Sequence, residues 1–152
     1  MKTACFSIRN ASDRSQLLKH LGVREFEYTV TITTGVKRSE KQNRTQRMWI
    51  KELTTQMQAQ NADITSEGVR ATIKLHYGVP ILREESESFR LQYDAIIKPL
   101  EYSAKLDLMK EPIDFPVTRL MSVKQKKKYL DVVYREFSCK GFSLTDPSWE
   151  GW

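Results

Sequence analysis

The segment from Ser39 to about Asn61 has one regular fold open to it, and it anchors the reading of the rest of the chain. Ser39 and Gln42 have the spacing of a capping box, in which the hydroxyl accepts from the Gln42 backbone N–H and the Gln42 side chain reaches back to the Ser39 N–H. Trp49, Leu53 and Met57 then recur at helical spacing and predict a buried stripe. Arg44, Arg47 and Lys51 recur as i, i+3, i+7 on a different face. One side of this helix must pack while the other presents cations to solvent. Lys37 and Arg38 stand just before it, and the amides Gln42 and Asn43 lie in its first turn.

Such a row of long cations is what a polyanion would meet. The alternative is an ordinary solvated face, the commonest role of charge on a helix. With 25 Lys and Arg against 19 Asp and Glu, the net charge is +6, which favours an anionic partner without naming it. Nucleic acid, an acidic protein and a membrane surface all qualify.

At 152 residues the chain is long enough to bury one core, so a single domain over residues 1–146 is expected, followed by a short aromatic tail at 147–152. Folding calls for no cofactor and no disulfide. Cys5 and Cys139 lie at opposite ends of the chain, without a CxxC or metal-ligand spacing, and read as buried thiols. No apolar leader follows Met1-Lys2-Thr3-Ala4, and no apolar run approaches the roughly 18 residues a membrane helix needs. A soluble, cytoplasmic protein is the expectation.

Ala4 to Arg9 alternates as a short strand, and Asn10 or Ser12 caps a helix to about Leu21, with Gly22 placed for a left-handed stop. Phe26, Tyr28, Val30 and Ile32 alternate strictly with Glu27, Thr29, Thr31 and Thr33, the pattern of a half-buried strand, and Gly35 marks its exit. The expected class is therefore α+β, a small antiparallel or mixed sheet with covering helices. In the middle, Thr65 can cap a helix that Gly78-Val79-Pro80 should interrupt, with a short strand at Ile81 and Leu82. Ser86 to Lys98 reads as a helix with Phe89, Tyr93, Ile96 and Ile97 inward, broken at Pro99. A further helix covers Glu101 to Met109, and Pro112 and Pro116 make Glu111 to Met121 an extended connector or an edge strand rather than a helix.

Ser122 opens the last helix, Leu130, Val133, Tyr134 and Phe137 form its inner stripe, and Gly141 closes it. Its first turns carry Lys124, Lys126, Lys127 and Lys128. Cations there oppose the helix dipole, so their clustering points to a binding role, with a solvated face as the alternative. Phe142 and Leu144 begin a tail that ends in Trp149 and Trp152, which can dock on the protein, stack on bases or meet a partner.

The order strand, helix, strand, then Arg38-Ser39, Gln42-Asn43-Arg44 and the aromatic Trp49, resembles the NinB family of phage recombination proteins. Trp49 stands further from Asn43 than the family's aromatic does. Met121-Ser122, Gly141 and the run Phe142-Ser143-Leu144-Thr145-Asp146 are similar to the family's ending, while the middle of the chain aligns poorly. The resemblance implies a small α+β homodimer that binds DNA without sequence specificity, accepts single strands and works beside the host single-strand-binding protein, without catalysis. It makes Arg38, Gln42, Asn43 and Arg44 the family-motif candidates for DNA contact. Lys37, Arg47, Lys51 and the four lysines of the last helix join them on charge alone.

Three other readings stay open. Beyond phosphate contact, bases could stack on an exposed aromatic, for which Tyr77, Tyr102, Trp149 and Trp152 are candidates, and a duplex-binding protein could flip bases with an inserted side chain. A metal-dependent nuclease needs clustered carboxylates or histidines. The dense acidic group Glu84, Glu85 and Glu87 instead reads as the solvated start of a helix capped by Ser86, and His20 and His76 are isolated. In the third reading the basic face meets the acidic tail of a single-strand-binding protein and never touches DNA.

Overall fold

A computed structural model of the chain describes residues 6, 8, 10–25, 29–30 and 40–146. The chain divides into two compact units, Met1–Gly35 and Val36–Trp152. In the first, helix α1 (Ala11–Gly22) begins at Asn10, whose Oδ1 accepts from the Asp13 N–H at 3.0 Å. Gly22 does not serve as a left-handed stop. The cap is Val23 at φ −98°, and a tightened last turn, in which Arg24 donates to the Leu21 carbonyl at 3.3 Å, closes the helix without one.

The expected α+β class is overturned: the described residues are helical and contain no strand. Most of the two alternating segments, Ala4 to Arg9 and Phe26 to Thr33, lies outside the described residues. Phe6, Ile8, Thr29 and Val30, which are described, are exposed and belong to no strand. A period of two says that one face is apolar, but a strand exists only when a ladder partner pairs with it. The described core of the second unit comes from helices and the turns between them, Val117 and Met121 included.

That unit contains α2 (Glu40–Gln58), α3 (Ser66–Ile73), a π turn (Lys74–Gly78), α4 (Val79–Glu85), α5 (Glu87–Ile96), α6 (Tyr102–Met109) and α7 (Val123–Cys139). Trp49 and Leu53 of α2, Ile73 of α3, Leu82 of α4 and Tyr129, Leu130 and Val133 of α7 meet in one buried cluster. Thr65 caps α3 through the Gly68 N–H at 3.1 Å, and Ser86 caps α5 through the Phe89 N–H at 3.3 Å.

No interruption occurs at Gly78-Val79-Pro80, and Ile81 and Leu82 are buried helical residues rather than a strand. The helix instead widens by one residue: the Val79 N–H reaches back five residues to the Lys74 carbonyl. Pro80 then falls in the first turn of α4, where its missing N–H is not needed. Gly78 is required by close packing, because a Cβ there would lie 2.6 Å from Cγ1 of the buried Val117. In α5, Tyr93 and Ile97 turn inward as expected, whereas Ile96 is exposed.

The connector after α6 consists of turns and bends that sink Val117 and Met121 into the core. A capping box then starts α7, with Gln125 N–H to Ser122 Oγ at 3.1 Å and Ser122 N–H to Gln125 Oε1 at 2.9 Å. Gly141, at φ 90°, ends it in a Schellman motif: Phe142 N–H donates to the Phe137 carbonyl at 3.0 Å and Gly141 N–H to that of Ser138 at 3.1 Å. The rings of Phe142 and Phe137 pack edge to face across this turn. The chain then returns along α2. Gln56 pairs with both backbone groups of Ser143, and the Trp49 indole N–H donates to the Thr145 carbonyl at 2.8 Å.

Candidate nucleic-acid interface

Helices α2 and α7 lie side by side and run in the same direction, since their cross-helix partners advance together. Gln42 Nε2 donates to the Val123 carbonyl at 3.2 Å, Lys126 Nζ donates to Gln46 Oε1, and the Trp49 and Tyr134 rings meet at 5.4 Å. Both helix starts therefore sit at one end, and the positive ends of their dipoles reinforce each other there.

On the outer face of α2, Arg44, Arg47 and Lys51 are all exposed, with Asn43 half-buried beside them. None of the three forms an ion pair with a described residue. No acidic residue stands between Lys41 and Lys51; Glu40, one turn before Arg44, and Glu52, next to Lys51, flank the row. Lys37 and Arg38 lie outside the described residues, as does the Ser39 half of the expected capping box.

Gln42 is placed differently from that expectation. It is 2% exposed and ties the first turn of α2 to the start of α7, so it positions the interface and has no surface to offer a ligand. The four lysines of α7 separate as well, because successive residues turn by about 100° around a helix. Lys124 and Lys127 are exposed. Lys126 is 1% exposed, its ammonium held on Gln46 and 5.3 Å from the centre of the Tyr129 ring. Lys128 turns to α4, where it pairs with Glu84 at 2.9 Å and Glu85 at 3.3 Å. These carboxylates raise the Lys128 pKa, while hydrogen bonds from Gln125 and then Lys128 lower that of Glu85.

Glu84 and Glu85 thus sit at the last turn of α4 rather than at a helix start; only Glu87 lies in the first turn of α5. Among the described residues no group of three His, Cys, Asp or Glu side chains is placed to hold a metal ion. No described helix is long and apolar enough to cross a membrane. Trp49 is buried, and Cys139 is an exposed free thiol rather than the buried one expected. Cys5, Trp149 and Trp152 lie outside the described residues.

A second charged constellation escaped sequence reasoning. Arg70 grips Glu67 with two hydrogen bonds, at 2.7 and 3.1 Å, and reaches Asp114 at 2.8 Å. The ammonium of Lys74, whose side chain is 2% exposed, meets Asp114 at 2.7 Å and the Met109 carbonyl at 3.0 Å. Arg119 adds a bond to the Asp114 carbonyl at 3.0 Å. The Lys74 hydrogen bond, supported by Arg70, depresses the Asp114 pKa to about 2, while burial lowers that of Lys74. The spacing of Glu67, Arg70 and Lys74 along one helix face was the legible part of this network. Asp114 comes from a turn forty positions beyond Lys74.

No protein-family model, curated protein or solved structure matches this chain.

Proposed function

We propose that this protein is a non-enzymatic, sequence-independent DNA-binding protein that holds single-stranded or partly single-stranded DNA through the phosphate backbone. The observation that carries this reading is the exposed row Arg44, Arg47 and Lys51, three cations on one helix face unpaired among the described residues, whereas Arg70, Arg83 and Lys128 of the same unit are matched to acids. Lys124 and Lys127 are exposed on the neighbouring helix, Lys124 close enough to Glu85 to lower its pKa, and the two parallel helix starts add to the field. Phosphates need no shaped pocket, only cations held at the right spacing on a rigid element. The buried Gln42 and Lys126 keep those elements in register.

The NinB-like motif extends the proposal to a recombination accessory of phage origin. In that role it acts as a homodimer in the bacterial cytoplasm alongside the host single-strand-binding protein. The family's sheet is not part of this reading. Fluorescence anisotropy of labelled single-stranded and duplex oligonucleotides, titrated across salt, tests it. Arg44→Ala/Arg47→Ala should reduce the slope of log affinity against log salt by about 1.4 for a single strand, about 0.7 for each lost phosphate contact. An unchanged slope, or no binding of either DNA at low salt, rejects the row as a DNA site. The acidic tail of a single-strand-binding protein is the next ligand to try in that event. Sedimentation at micromolar concentration checks the dimer.

A further inference from the structure

Away from the basic row, His76 and Tyr77 of the π turn and Tyr102 of α6 form one surface cluster of aromatic side chains. Tyr102, at the start of α6, is 51% exposed, and its hydroxyl lies 2.8 Å from Nε2 of the exposed His76. The two rings are 5.7 Å apart and tilted by 51°. His76 continues to Tyr77 at 6.4 Å, and Tyr77 stands edge-on to the buried Phe137 at 5.7 Å. Lys140, just past the end of α7, is exposed; it donates to the Tyr77 hydroxyl at 3.1 Å and lies 5.9 Å from the centre of that ring.

The chemistry of this cluster is specific. His76 Nε2 and the Tyr102 hydroxyl satisfy each other, and Lys140 donates to the Tyr77 hydroxyl, so the rings are pinned without a ligand and His76 Nδ1 stays open to one. What remains for a partner is aromatic surface, that ring nitrogen and the spare donors of one ammonium, which has three in all. The inter-ring tilts keep neighbouring rings from covering one another face to face. Within the π turn His76 faces outward, while Lys74 and Gly78, two residues to either side, are buried.

A ligand that matches carries flat uncharged faces joined by anions. We infer that Tyr102, His76 and Tyr77 form a stacking platform for unpaired bases of single-stranded DNA, with Lys140 meeting an adjacent phosphate. This rests on the DNA-binding reading above but uses none of its residues. Stacking tolerates any base, since every base has a π face, and it is denied to a duplex whose bases already stack on one another. The platform would therefore supply the strand preference that the basic row lacks.

The test compares two single strands of equal length and charge, one with bases and one built from abasic sites, together with a duplex. Wild-type protein should bind the base-bearing strand at least about fivefold tighter than the abasic one. Tyr102→Ala/His76→Ala should erase that preference while leaving abasic-strand and duplex affinity unchanged. Tyr102→Phe, which keeps the ring, should retain it, and a thermal melt verifies that each variant folds. Equal wild-type affinity for the two strands, or a preference that survives in the double variant, overturns the platform while leaving the phosphate-binding reading standing. No binding of any of the three DNAs overturns both.

Discussion

The two charged regions of the helical unit use the same residue types to opposite ends. Around Asp114, cations from α3 and the π turn converge on carboxylates at 2.7 to 2.8 Å, and one of them, Lys74, is buried. Along the outer face of α2, three exposed cations form no ion pair with a described acid. In the first region the charges are spent on one another and hold the connector after α6 onto α3. In the second they remain available to something outside the fold. A count of lysines and arginines cannot make this distinction.

The comparison is broken most directly at Asp114. Asp114→Ala leaves the buried Lys74 ammonium without its carboxylate and should destabilise by about 3 kcal/mol in urea unfolding, with DNA affinity unchanged. A loss of DNA affinity in the folded variant would mean that the network, too, serves binding. The same carboxylate predicts a pH dependence. Its pKa falls from 3.8 to about 2 on folding, so its stabilisation is complete above about pH 4 and is lost as pH drops through 2. Wild-type stability should decline across that window, and Asp114→Ala should decline less.

Next in size is Gly78→Ala, which drives a methyl group into the stiff, buried Val117 side chain and should cost about 2 kcal/mol by the same measurement. It probes the π turn that buries Lys74 at one end and displays His76 in its middle. Arg44→Ala/Arg47→Ala should change stability by no more than about 0.5 kcal/mol while weakening DNA binding. A large drop in thermal midpoint would show that the row is structural after all. Lys128→Ala is the smallest perturbation: its charge is already matched by Glu84 and Glu85, and neither the melting midpoint nor the affinity for DNA should move measurably.

Local signals were legible in the sequence, and cooperative ones were not. The Ser122, Thr65 and Ser86 caps and the Gly141 stop each depend on groups within a few residues and all form, whereas the left-handed stop expected at Gly22 does not. The inner stripe of α2 and its outer cations follow from the helical period alone. Alternation marks an apolar face but not its ladder partner, and the described residues hold no strand; Gly78-Val79-Pro80 failed to interrupt because one extra residue in the turn absorbs the proline. Lys126 and Lys128 read as one basic cluster with Lys124 and Lys127, yet the cluster divides according to what packs against each face of α7.

By itself, then, the sequence determined where most helices start and stop and which face of α2 carries charge, since these depend on spacing and on hydrogen bonds within a turn or two. Tertiary structure decided which charges remain free. It placed α2 and α7 in parallel, buried Gln42 and Lys126 between them, brought Asp114 to Lys74 across forty residues, and set Tyr102 against His76. Burial and ion pairing depend on neighbours distant in the chain, and only the packed core brings those neighbours within reach.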